Sequence, residues 1–224
     1  MGDCCLIVEF GQRVDSQINQ ITRAFAEHLL SHPIPGVYDV VPTYTTVAVH
    51  YHPESFLGDV LPWQRLQRQL EAVLTQGIET ASAVARVVEV PVYYGGDQGP
   101  DLIEVAQKCG LAEEEVVQLH SSPVYTVYML GFLPGFPYIG GLDKRLNMPR
   151  RKTPRTTVPA GSVAIAGEQA AIYPMESPGG WNLIGRTPVT LFQPQAEPPC
   201  LLQPGDKVRF VPISFEQFQA MQRQ

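Results

Sequence analysis

The sequence predicts two parts. A small α+β unit of ferredoxin-like type covers residues 1–83, and a mainly-β barrel or sandwich covers residues 84–224. Three observations carry this. The N-terminal part alternates strand-length and helix-length apolar patterns in the order β-α-β-β-α. A stretch rich in Thr, Gly, Ser and Ala at 75–85 then reads as a linker. Beyond it, residues 131–187 place glycine or proline every few positions, with aromatics and β-formers between them. Proline removes an amide donor and fixes φ, so such a run is not helical. Glycine goes where the backbone needs φ > 0 or another group must come close.

In chain order, residues 5–10 read as a strand. Asp15 or Ser16 caps a helix whose apolar face is Ile18, Ile21, Phe25 and Leu29, and Pro33 and Pro35-Gly36 stop it. Residues 37–41 and 43–51 are strands joined by a tight turn at Pro42. Residues 54–76 are helical, with Leu66, Leu70, Val73 and Leu74 inward. Pro62 either separates a first turn or occupies the first position of the main helix. A strand at 86–93 completes the split βαβ pattern. After the loop YGGDQGP (94–100), Asp101 caps a helix ending at Cys109-Gly110. A second helix over 113–119 begins with three acids, which suits the helix dipole. A strand at 124–130 leads into the glycine-proline run, whose strands are 163–165, 170–173 and 189–192. Leu201-Leu202 and 208–211 form a last hairpin-like pair. Phe215, Phe218 and Met221 mark a terminal helix.

Composition narrows the function. At 224 residues, 44% apolar and a net charge of −6, the chain can bury a core but lacks the basic face of a general nucleic-acid binder. Arg150, Arg151, Lys152 and Arg155 make a local basic island suited to a small anion. The N-terminus has no secretory pattern, and no apolar run approaches the roughly 20 residues that span a bilayer. A cytoplasmic protein with no membrane contact is expected. The four cysteines form no CxxC pair and have no histidine at ligand spacing, so reduced thiols and no metal site are expected.

No Walker loop, dinucleotide-binding GxGxxG or GxSxG elbow is present. Ser162 lies in AGSVA, which lacks the second glycine of an elbow. The candidate site is instead a binding constellation. Arg150, Arg151 and Arg155 can donate bidentately to a carboxylate or phosphate. Ser162, Gln169, Ser177 and Arg186 add polar groups. SPGG at 177–180, with Gly179 and Gly180, offers amides as an anion nest. Trp181 and Phe136 are either apolar walls of the site or barrel core. His120 closes a helix beside two serines. It either answers the dipole or lines the site as a proton carrier, and with Arg155 it is the catalytic candidate.

At these residues the chain resembles a known family. VPVYYGG, GPDL, LHSS, GFLPGFPYIGGLD, PRRKTPR, VPAGSV, YPMESPGGWNLIGRT and LLQPGDKVRFVP are similar to the KipI / allophanate hydrolase subunit 1 family. The likeness is close over 90–212. It implies a cyclophilin-like barrel. It also implies work with two partner chains, a homologous one of allophanate-hydrolase-subunit-2 type and one of LamB/YcsF type. The branch it most resembles opens 5-oxo-L-proline to L-glutamate with hydrolysis of ATP. ATP would be a co-substrate, with Mg²⁺ held largely by a partner or by the nucleotide, and this chain would be inactive alone. The same family also covers inhibitors of a sensor histidine kinase and components of allophanate or urea amidolyases. A peptidyl-prolyl isomerase would rest on fold alone, which is weak warrant.

Overall fold

The computed structural model describes residues 4–13, 15–78 and 85–223. The chain divides into two compact units, residues 1–84 and 85–224. Of the predicted linker at 75–85, the first residues continue a helix to Gln76, and residues 79–84 lie outside the described residues.

The first unit runs β1 (Cys5–Glu9), α1 (Ser16–Ser31), β2 (Val37–Pro42), β3 (Thr46–Tyr51) and α2 (Pro62–Gln76). α1 starts because the Asp15 carboxylate accepts from the Gln17 and Ile18 amides at 2.8 and 3.2 Å. Phe25 and Leu29 face inward as their spacing predicts. Ile21 is exposed, and Thr22 and Ala26 occupy the inward stripe instead. β3 alternates cleanly, with Val47, Val49 and Tyr51 inward. Pro53–Phe56 forms a separate 3₁₀ turn and Pro62 opens α2, so both readings of that proline hold. Leu66 and Leu70 are buried, whereas Leu74 is exposed.

The sheet of this unit is antiparallel, in the order β1-β3-β2. The fourth strand expected at 86–93 is not part of it. That strand, β4 (Val87–Tyr94), belongs to the second unit. Its alternation fits any half-buried sheet, so local pattern does not say which sheet takes it.

The second unit continues with α3 (Leu102–Cys109), α4 (Glu113–Ser121), β5 (Tyr125–Leu130), β6 (Pro137–Gly140), β7 (Arg155–Val158) and β8 (Ser162–Ala166). Then come β9 (Gln169–Ile172), β10 (Ser177–Gly179), β11 (Asn182–Arg186), β12 (Lys207–Pro212) and α5 (Phe215–Gln222). Seven strands close a barrel in the order β11-β4-β12-β5-β6-β9-β8, and β7 and β10 form a separate ribbon. The β4–β12 pair is parallel and the others are antiparallel. Two expectations fail here. Residues 189–192 are not a strand, save for a single bridge from Phe192 to Cys200. The 208–211 strand does not pair with Leu201-Leu202, because barrel closure takes both its edges, for β4 and β5.

β8 is buried along its whole length because both its faces are covered. Val163 and Ile165 point into the barrel, where Val90, Ile139, Ile172 and Phe210 fill the interior. Ala164 and Ala166, with Ala171 of β9, point outward under an aromatic cluster of Phe136, Tyr173 and Trp181. The barrel is therefore packed solid, and open space lies on its flank.

One loop is laced to β11. Gly95 and Asp101 donate their amides to the Ile184 and Leu183 carbonyls at 3.1 and 2.9 Å. A Cβ on Gly99 would sit 2.2 Å from the Ile184 oxygen, so this turn requires glycine. Gly99→Ala is expected to lose about 1–3 kcal/mol in urea denaturation, as overpacking against backbone does. A loss below about 0.5 kcal/mol would contradict the packing described.

Candidate functional site

The flank of the barrel carries a cavity of about 460 Å³. Its wall comes from several segments. The loop after β5 supplies Phe132 and Phe136, β6 supplies Tyr138, and the end of β9 supplies Tyr173. The ribbon side supplies Ser177, Gly179, Gly180 and Trp181. Phe136 stands edge-on to Tyr138 and Tyr173, with centroids 5.1 Å apart in each case, the favoured geometry for rings. A Cβ on Gly179 would lie 2.3 Å from the Tyr173 hydroxyl oxygen, so glycine lets the ribbon close onto that ring. Burial raises the Tyr173 phenol pKa, so it stays protonated. Trp181 and Phe136 fill both expected roles, since they are nearly buried in the flank core and also line the cavity.

The basic arm 149–155 adds Arg150, Arg151 and Pro154 to the lining. Asn182 fixes its start by donating to the Pro149 carbonyl at 3.0 Å, and the Arg151 amide donates to the Gly180 carbonyl at 2.7 Å. Arg150 lies over the Trp181 ring, 5.8 Å from its centroid. Arg151 and Arg155 turn away to one buried carboxylate, Asp101. Arg155 donates two bonds to it at 2.7 and 2.9 Å, Arg151 one at 2.8 Å, and the Leu183 amide one at 2.7 Å. Asp101 makes no side-chain cap to α3, contrary to the sequence expectation, because the guanidinium forks compete better for its oxygens. Arg151 also reaches Glu104 at 3.0 Å. The hydrogen bonds from Lys108 and then Arg151 hold the Glu104 carboxyl below its ordinary range.

The structure thus brings Arg150, Arg151, Ser177, Gly179, Gly180 and Trp181 to one cavity. Arg155 stands behind it, fully engaged with Asp101. SPGG does not form an amide nest, because Ser177–Gly179 is a strand paired with β7. Ser162 is buried and donates to the Pro159 carbonyl at 2.8 Å, so it is no nucleophile at this cavity. Arg186 is held elsewhere by Ala160 and Gln98, at 2.7 and 3.1 Å. Gln169 sits on β9 outside the cavity wall.

His120 does not border the cavity either. It is fully buried, 2.7 Å from the Tyr94 hydroxyl through Nδ1 and 4.4 Å from the Phe210 ring centroid, with Nε2 unpartnered. Burial lowers its pKa from 6.5 to about 3, so it stays neutral and cannot relay a proton near pH 7. Residues that sequence reasoning missed are Asp101, read as a cap, and the aromatics Phe132, Tyr138 and Tyr173. Their signal was the density of aromatics among the glycines of 131–181.

Removing either buried group should register in stability. Asp101→Ala leaves two guanidinium groups facing a void, and about 3 kcal/mol of stability is expected to be lost. Asp101→Asn, which keeps an acceptor, is expected to lose less, and equal stability of Asp101→Ala and the parent would refute the assignment. The unfolded chain protonates His120 near 6.5 and the folded one near 3. Below pH 6.5 the unfolded state therefore takes up a proton that the native state refuses. Stability should fall from pH 6.5 toward pH 3, by up to about 1.4 kcal/mol per pH unit from this residue. The His120→Phe variant should lack that part of the slope in denaturation measured at several pH values.

Comparison with known proteins adds identity to this geometry. The family described as carboxyltransferase domain, subdomain C and D, matches residues 1–202. The 5-oxoprolinase B subunit of Bacillus subtilis is 43% identical over 98% of this chain and 94% of its own length. Its namesake from Escherichia coli O157:H7 is 44% identical over 95% of this chain and 94% of its own length. The crystal structure of TTHA0988 is 43% identical and superposes on 94% of this chain with a TM-score of 0.81; this chain spans 40% of that longer one. Among the described residues, no helix is long and apolar enough to cross a membrane. With matches that run nearly end to end, the chain belongs to the family of carboxyltransferase-domain subdomains C and D.

Proposed function

We propose that this chain is the B subunit of an ATP-dependent 5-oxoprolinase, which converts 5-oxo-L-proline to L-glutamate with hydrolysis of ATP. The observation that carries this reading is the 43% and 44% identity, along nearly the whole chain, to proteins bearing that name. The flank cavity supports it chemically. A lactam is a stable amide, and phosphorylation of its oxygen makes the ring carbon open to attack by water. A wall of aromatic faces and a guanidinium with no carboxylate partner among the described residues suit ligands that join a ring to anionic groups. Such preorganised cations stabilise phosphoryl charge as it develops.

The chain supplies part of that chemistry. His120 is sealed in the core, and among the described residues no histidine borders the cavity. Among the described residues, no group of three or more His, Cys, Asp or Glu side chains is placed to hold a metal ion. In this reading Mg²⁺ is carried by the nucleotide or by a partner. The partners in this reading are a homologous chain of allophanate-hydrolase-subunit-2 type and a chain of LamB/YcsF type, and the location is cytoplasmic. The reading also includes a cyclophilin-like type for the barrel, a boundary near residues 83–84, and a ferredoxin-like first unit that lacks its fourth strand.

The purified chain alone is expected to release no glutamate. Co-purified with both partner chains, it is expected to release glutamate from 5-oxoproline only with ATP. Arg150→Ala in that assembly should lower kcat/KM by ~10-fold or more, the cost of one charge-assisted contact. An intact assembly without ATP-dependent glutamate release would end this reading. Turnover of urea or allophanate instead would move the chain to the amidolyase branch.

A further inference from the structure

Beside the aromatic cavity lies a second hollow of about 300 Å³. Arg150 and Arg151 line both, so the two spaces share a wall. The second hollow differs sharply in character. Four cations border it, Lys108, Arg150, Arg151 and Lys152, against one acid, Glu104. That acid is already tied to Lys108 at 2.6 Å and Arg151 at 3.0 Å. Arg150 and Lys152 have no carboxylate partner among the described residues. In a chain of net charge −6, such a concentration of positive charge is not generic surface chemistry.

We infer that the two hollows form one bipartite site for a nucleoside triphosphate. The base lies against the Trp181 and Tyr138 side of the aromatic cavity, and the phosphates lie in the cationic hollow. Arg150 stands at the joint, against the Trp181 ring on one side and the phosphate chain on the other. Aromatic faces stack on any base, and paired guanidinium and ammonium groups match a polyphosphate. A small lactam with one carboxylate would fill a fraction of the cavity of about 460 Å³ and leave the cationic hollow, with the unpaired Arg150 and Lys152, largely unfilled. The lactam is accordingly assigned to another part of the assembly. The inference rests on the 5-oxoprolinase reading for the identity of the nucleotide as ATP.

The test uses the full chain carrying Trp63→Phe, which leaves Trp181 as its one indole. Titration with MgATP is expected to change Trp181 emission saturably. Inorganic tripolyphosphate should compete with ATP while changing the emission little, and 5-oxoproline should do neither. Lys152→Glu should weaken ATP binding ~10-fold or more, with the melting temperature unmoved, since Lys152 is exposed. In the assembled enzyme the same substitution should raise KM for ATP while KM for 5-oxoproline stays within about two-fold. An emission that ATP leaves unchanged, an undiminished ATP affinity in Lys152→Glu, or saturable displacement of ATP by 5-oxoproline would each overturn the inference. Glutamate release by the parent assembly is scored separately. Its presence beside a silent Trp181 defeats the bipartite site alone, whereas its absence beside Lys152-dependent ATP binding defeats the 5-oxoprolinase reading alone.

Discussion

The candidate site depends on one buried carboxylate. Asp101 sits at the start of α3 and receives Arg151 and Arg155 from the basic arm and the Leu183 amide from β11. It therefore joins a helix, a loop and a barrel strand at a single point. Net stabilisation from such a cluster is modest, because desolvation offsets most of the Coulomb gain. Its effect is positional. With Arg151 and Arg155 held down, the backbone between them is fixed, and Arg150 and Lys152 face outward without competitors among the described residues. Two of the arm's four cations hold the arm in place, and the other two have no carboxylate partner among the described residues.

The second constraint is volume. Alanines at 164, 166 and 171 cover the outer face of β8 and β9, and their small size leaves room for Phe136, Tyr173 and Trp181 to pack against the barrel. Branched residues face the other way and fill the interior. The barrel is thus a packed slab rather than a container, and the candidate cavity lies on its flank. Rigid walls of this kind preorganise aromatic faces at low entropic cost.

Much of this architecture was legible in advance. Period-two and period-3.6 apolar patterns place β1 to β3, α1 and α2, and the glycine-proline run announces short strands around a structured loop site. The basic arm and Trp181 stand out by composition, and both border the cavity. Where reading failed, a long-range partner decided the outcome. Asp101 has the look of a helix cap, and only the arrival of Arg155, 54 residues later, changes its role. His120 has the look of a proton carrier, and the rings of Tyr125 and Phe210 close over it instead. Strand 87–94 fits an N-terminal sheet as well as a barrel until β12 pairs with it in parallel.

The sequence by itself determined the local elements, the segment that carries the site, and the family, because each of these follows from residues near one another in the chain. The tertiary structure alone decided which strands close the barrel, which arginines are tied down and which remain available, and that the cavity lies outside the barrel rather than within it. The physical reason is that hydrogen-bond partners and desolvation are properties of neighbours in space, and for Asp101, His120 and β4 those neighbours are remote in sequence.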